Sequence, residues 1–224
     1  MNKERLFLNS VMQLINQQIM VKVTGGNFIQ GIFTDIGNDI LVLFDGQRYR
    51  YIPLIHVHKI KLSSQEEEEI SQPTGNSLIQ QEKEISYRSI LTNAKGLFTE
   101  IQVSGKQPLY GYITGVLSDY FVFNSPIYQT VYIPLTHLKW LTLHDQNATP
   151  YTITSLPIQT QNPSRSFEEQ LKKLEDNLVV FDLGEDQDKI GLLKKIENNL
   201  IELITANGET VILNPAHVKS VYVP

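Results

Sequence analysis

The chain has 224 residues, 41% of them apolar, with a formal net charge of −5 and no cysteine. This composition excludes disulfides, thiolate nucleophiles and thiolate zinc sites, and the acidic balance weighs against a polyanionic partner, which needs a concentrated basic surface. No apolar run approaches the roughly 18 residues of a membrane span, and Met1–Leu8 leads into no signal-like apolar core, so the expectation is a protein made and kept in a cytoplasm, or delivered by assembly inside a cell.

The elements follow in chain order. Leu8, Val11, Met12 and Ile15 make an apolar stripe at helical spacing, and Ile19–Val23 then alternates as a strand before a turn at Gly25-Gly26. Phe28–Ile36 reads as a longer strand with Gly31 inside it, where a glycine marks a bend or a close backbone approach. After the turn-former Asp39 comes Ile40-Leu41-Val42-Leu43, and Asp45-Gly46 is a type I′ hairpin signal. Pro53 should end a strand and open a single helical turn that carries His56, with Ile60 and Leu62 in a short last strand.

Residues 63–85 then have linker composition, with Glu66–Glu69 as a solvated block. A second stripe (Tyr87, Ile90, Leu91, Ala94) precedes Gly111, Asp119, Tyr120-Phe121-Val122-Phe123, Pro134, His137, Leu141 and Leu143, with Asn124-Ser125-Pro126 at the hairpin position. Another linker, 147–165, holds Pro150, Pro157 and Pro163. A capping box at Ser166 and Glu169 then opens a third stripe of Phe167, Leu171, Leu174 and Leu178. Gly191, Asn199, Leu200–Leu203, the hairpin signal Asn207-Gly208, Pro215, His217, Val221 and Val223 complete the series.

The order is the same three times. Gly31, Gly111 and Gly191 are each 80 residues apart, and the turn-formers, prolines and histidines keep step. The chain therefore encodes one unit in triplicate. A helix and five short strands in about 60 residues outline a small barrel. The expected fold is mainly β: three tandem Sm-like or SH3-like small β-barrels, each preceded by a short helix. Their bounds are 1–62, 86–146 and 166–224, with linkers at 63–85 and 147–165.

The block Ile19–Gly26 with Gly31, Asp39 and His56-Val57-His58-Lys59-Ile60 resembles the repeated unit of the spore outer coat protein B family. His217-Val218-Lys219-Ser220-Val221 is the nearest match to that family's closing motif, and His137-Leu138-Lys139 a looser one. The resemblance covers nearly the whole chain apart from the linkers. It implies a structural protein without a signal peptide, deposited on the spore coat or exosporium through contacts with other coat proteins and with itself. The family's long Ser/Lys-rich modified tail has no counterpart before Val223-Pro224, so that tail's role is not implied.

Other chemistries have less behind them. Sm-type RNA sites use an Asn after the second strand and an Arg-Gly pair before the last. Asn38, Ser118 and Asn198 fall near the first position, but Pro53-Leu54, Pro134-Leu135 and Asn214-Pro215 occupy the second. Tyr49, Tyr51, Tyr110, Tyr112 and Tyr132, beside Arg48 and Arg50, could stack bases, although strand aromatics more often pack across strands.

His56 and His58 lie two apart, as a metal pair on one strand face would, yet the repeating His56, His137 and His217 suit a capping role in the turn better. No serine sits in a nucleophile turn, and Glu185, Asp186 and Asp188 share one solvated loop. The expectation is no enzyme, no cofactor, no bound metal and no membrane partner. Open strand edges, above all Ser220-Val221-Tyr222-Val223, are the expected interface, with an RNA-binding or peptide-binding module as the alternatives.

Overall fold

The structure is a computed structural model and describes residues 11–63, 69–73, 77–78, 85–103, 107–144 and 162–224. The first repeat contributes β1 (Gln18–Val23), β2 (Phe28–Ile36), β3 (Ile40–Phe44), β4 (Tyr49–Pro53) and β5 (Val57–Leu62). The second contributes α1 (Tyr87–Asn93), β6 (Phe98–Gln102), β7 (Leu109–Val116), β8 (Tyr120–Ser125), β9 (Gln129–Pro134) and β10 (Trp140–Leu143). The third contributes α2 (Phe167–Lys172), β11 (Leu178–Phe181), β12 (Ile190–Glu197), β13 (Leu200–Thr205), β14 (Thr210–Leu213) and β15 (Val221–Tyr222). The protein is mainly β, in open antiparallel sheet. Among the described residues no helix is long and apolar enough to cross a membrane.

Two devices recur in the second strand of every repeat. Gly31, Gly111 and Gly191 each face the neighbouring strand so closely that a Cβ would collide with a carbonyl oxygen, that of Phe44, Asn124 or Ile204. Two residues on, the register slips at Phe33/Asp35, Ile113/Gly115 and Leu193/Lys195, which is a β-bulge at the same place three times. A bulge bends its strand and increases the local twist. In the first two repeats the bulged threonine also donates across the ladder, Thr34 Oγ1 to Val42 O (3.2 Å) and Thr114 Oγ1 to Val122 O (3.4 Å). Glycine and bulge together supply the curvature expected from the sequence.

The chain forms two compact units, and their limits do not follow the repeats: Met1–Asn93 with Lys139–His144, and Ala94–Leu138 with Asp145–Pro224. The first unit has the strand order β10-β4-β3-β2-β1-β5. Its core is Ile19, Val21, Phe33, Leu41, Leu43 and Ile52, joined by Trp140 from the second repeat and edged by Val11, Leu14 and Ile15. The second unit runs β14-β13-β12-β11-β15-β9-β8-β7-β6. Its core joins Tyr120, Val122 and Tyr132 of the second repeat to Phe167, Leu171, Phe181, Leu193 and Leu203 of the third. The expected picture of three self-contained barrels is thus met only as far as a mainly β fold with three like strand sets, because Trp140 of β10 joins the first repeat's core and repeats two and three share one core.

Several local expectations change. Leu178 begins β11 and is exposed, because α2 ends at Lys172 and Asp176 takes a left-handed φ of 61°. Met12 of the first stripe is exposed, and Leu8 lies outside the described residues. Neither Asp45-Gly46 nor Asn207-Gly208 is a type I′ turn, since only the glycines have positive φ (99° and 78°). A type I′ turn has both central φ values positive, and that condition is met at Asn198-Asn199, at 53° and 56°. Linker residues lie on the first unit, where the Ile70 N–H donates to Gln18 Oε1 at 2.9 Å and Leu78 is buried against Tyr51. Of the acidic block, Glu66–Glu68 fall outside the described residues.

Candidate functional site: the strand junctions between repeats

Two antiparallel strand pairs, one in each unit, join one repeat to the next. In the first unit β10 lies along β4, with Leu141 opposite Tyr51 and Thr142 opposite Arg50. In the second, β15 lies along β9, with Val221 opposite Tyr132 and Tyr222 opposite Val131. Leu141 and Val221 each stand four residues after the repeat histidine, and Tyr51 and Tyr132 each five before theirs. The register is therefore the same at both junctions. A one-residue slip would turn every side chain to the opposite face, so a shared register is a specified one.

Burial locks each pairing. Leu141 and Val221 are both 0% exposed, and Tyr51 and Tyr132 are 1% and 4%. Burial pushes both phenols above their usual range, so each stays a neutral hydroxyl at any physiological pH. Tyr51 Oη accepts the Leu78 N–H. At the first junction Thr142 Oγ1 donates to Tyr49 O (2.6 Å) and the Arg50 guanidinium lies 4.6 Å above the Trp140 ring. At the second, Tyr222 meets Tyr128 edge-on at 5.5 Å.

A second contact repeats alongside. Asp39 Oδ1 accepts the N–H of Tyr87 at 2.7 Å, and Asp119 Oδ1 accepts the N–H of Phe167 at 2.9 Å. Each carboxylate caps the first turn of the following repeat's helix, where unpaired N–H groups and the helix dipole favour an anion. Through its own carbonyl each also takes the backbone N–H that opens its histidine turn, Leu54 or Leu135, at 2.8 Å. Ile40 and Tyr120, next in sequence, are both 0% exposed, and Tyr120 packs on Phe167 at 5.8 Å while donating to Ser164 O at 2.6 Å. The acidic turn residues, which the sequence marked only as turn-formers, are inter-repeat caps. A signal was present: the sequence has Asp where a repeat follows and Asn199 in the last.

The other residues singled out from the sequence are placed as follows. Pro53 and Pro134 close β4 and β9, Pro215 opens its own turn, and the three histidines end turns Leu54–His56, Leu135–His137 and Pro215–His217. His137 Nε2 meets Ala216 O of the following repeat at 3.2 Å, so its contact is between repeats and not with its own turn. Burial lowers its pKa below the ordinary value, with the Ala216 carbonyl and Asp182 opposing. His56 is buried in the turn while His58 is exposed on β5 at 3.0 Å from Thr24 Oγ1, so the pair does not converge. Among the described residues no group of three or more His, Asp or Glu side chains is placed to hold a metal ion.

The terminal strand is not an open edge. Val221 and Tyr222 pair with β11 on one side and β9 on the other. Behind them the buried Asp182 accepts the Lys219 N–H (2.6 Å) and the Ser220 N–H (3.3 Å) and is paired with Lys189.

The aromatics proposed for base stacking pack within the sheet, Tyr49 on Phe44 (5.3 Å) and Tyr112 on Phe98 (5.3 Å). A pocket of about 550 Å³ in the first unit is lined by Arg48, Arg50 and Asp45 among others. Its arginines are engaged, Arg50 by Asp45 (2.8 Å) and Arg48 by His144 (3.0 Å). Glu185, Asp186 and Asp188 remain a local loop in which Asp186 Oδ1 accepts the Asp188 N–H.

The junctions define a class: a protein of tandem β-repeats that donate a helix and a strand to their predecessors. Residues 166–221 match the family described as the YwrJ third domain. YwrJ of Bacillus subtilis (strain 168), carried there as an uncharacterized protein, is 41% identical over 220 residues, covering 95% of this chain and 98% of that protein. The chain belongs to the YwrJ family.

Proposed function

We propose that this chain is a non-enzymatic structural protein of the bacterial spore surface, coat or exosporium, whose repeats are small Sm-like β-barrels that assemble by pairing strand edges. The observation that carries the reading is the shared register of β10 on β4 and β15 on β9. An edge strand offers a row of unpaired N–H and C=O groups to any partner, and this fold uses those rows twice in one way. The barrel reading draws on the glycine and bulge in each second strand, and on the last strand pairing back onto the first in repeats one and three. The spore location draws on the likeness of the repeat to the outer coat family and on the relative from Bacillus subtilis.

The residues that recur shape the strands, bulges and caps, and they differ from a catalytic set in being present in every copy. Fluorescent tagging during sporulation of a bacillus, followed by extraction of washed spores, tests the location. The signal should ring the forespore and resist mild salt washes; a tagged protein left in the mother-cell lysate would overturn it.

A further inference from the structure

We infer that the partner at the two free sheet edges is a second copy of this chain, docked head to tail: the outer edge of β5 of one copy pairs with β14 of the next, in the register of the internal junctions. This deepens the assembly reading above and rests on its edge pairing, not on the spore location. Among the described residues β5 and β14 are the strands with one neighbour where their counterparts have two. Ile60, four after His56, is the counterpart of Leu141 and Val221; Ile212, five before His217, is the counterpart of Tyr51 and Tyr132. The internal register transferred to these edges sets Ile60 opposite Ile212 and Lys61 opposite Val211.

Exposure points to the same occupant. Ile212 is 55% exposed where Tyr51 and Tyr132 are covered, and Leu200 is 47% exposed where Ile40 and Tyr120 are covered. In the first two repeats the following repeat supplies the neighbour, β10 beside Tyr51 and β15 beside Tyr132, with Phe167 packed on Tyr120.

Charge selects the pairing. β5 presents exposed Lys59 and Lys61, and the exposed Glu209, two residues before Val211, falls diagonal to Lys61 in the transferred register. Two β5 edges would set like charges together, which disfavours symmetric pairing, whereas β5 against β14 brings opposite charges near. Such an interface is heterologous, so it propagates until a ring closes or a filament grows.

The absence of native cysteine gives a direct test. Purified Ile60→Cys and Ile212→Cys chains are mixed under mild oxidation, each alone serves as a control, and Ile127→Cys, exposed on a turn, replaces Ile212→Cys as a further control. A disulfide dimer formed in the first mixture at least tenfold faster than in any control is expected. Light scattering should show concentration-dependent association of the wild type that Ile212→Lys abolishes without moving the thermal melt, since Ile212 is exposed. Equal cross-linking in the Ile60→Cys control would establish a symmetric edge and overturn the inference, as would a wild-type monomer at about 100 μM. Retention of tagged protein on spores by a chain that stays monomeric would refute the head-to-tail pairing and leave the spore reading standing.

Discussion

Asp119 and Phe167 belong to different repeats, yet the Asp119 carboxylate accepts the Phe167 N–H at 2.9 Å and so caps a helix 48 residues further along the chain. The Asp39–Tyr87 pair does the same with the same spacing. In each case one turn residue settles two tasks, ending its own hairpin and fixing where the next repeat begins. Inter-repeat geometry is therefore written into single side chains as well as into the strand edges.

Asp119→Ala should lower stability by about 1 kcal/mol, the usual cost of losing a helix cap. Asp39→Ala should cost a similar amount. Asn199→Asp should be near neutral, because among the described residues no helix N–H donates to its side chain and Asp tolerates the left-handed φ of 56°. Urea unfolding of the three variants against wild type checks the contrast.

Val221→Asp should destabilise the second unit itself. Val221 is fully buried between β11 and β9, and a carboxylate there has no partner. The expected loss is on the order of 3 kcal/mol or more, from cavity and charge burial combined. Limited proteolysis should show early cleavage after residue 94. A change seen only in assembly state, with the melt unmoved, would mean that β15 is an outer edge after all.

Asp182→Ala removes a buried carboxylate that holds two N–H groups at the start of β15 and pairs with Lys189. Hydrogen bonds to a charged group contribute about 1.5–3 kcal/mol, and a loss of that size is expected. Hydrogen exchange at Val221 and Tyr222 should accelerate before the rest of the second unit.

His137 gives a pH dependence with a definite sign. Burial holds its pKa below the ordinary 6.5, so the unfolded chain binds the proton more readily. Its contribution to stability is complete above pH 6.5 and is lost as the pH falls through the lower folded value. His137→Gln should flatten the difference between melts at pH 7 and pH 5.5, measured against wild type so that the carboxylates cancel.

Much of this was legible in the sequence. The 80-residue period, the strand glycines, the capping box of Ser166 and the prolines before each histidine turn report local geometry, and each stands where expected. The candidate interface was legible as a kind of surface, the strand edge, but not in its location. Ser220–Val223 has the same apolar pattern whether its outer side is bare or paired, so composition alone made it look like the open edge.

By itself, then, the sequence determined what each repeat could build: strand alternation, a bulge-ready second strand and a short helix, all read from neighbours a few residues apart. The tertiary structure decided ownership, placing α1 and β10 with the first repeat and α2 and β15 against the second. That choice is nonlocal, because every β edge offers the same main-chain donors and acceptors, and only the burial of Tyr51 by Leu141, or of Tyr132 by Val221, singles out one partner.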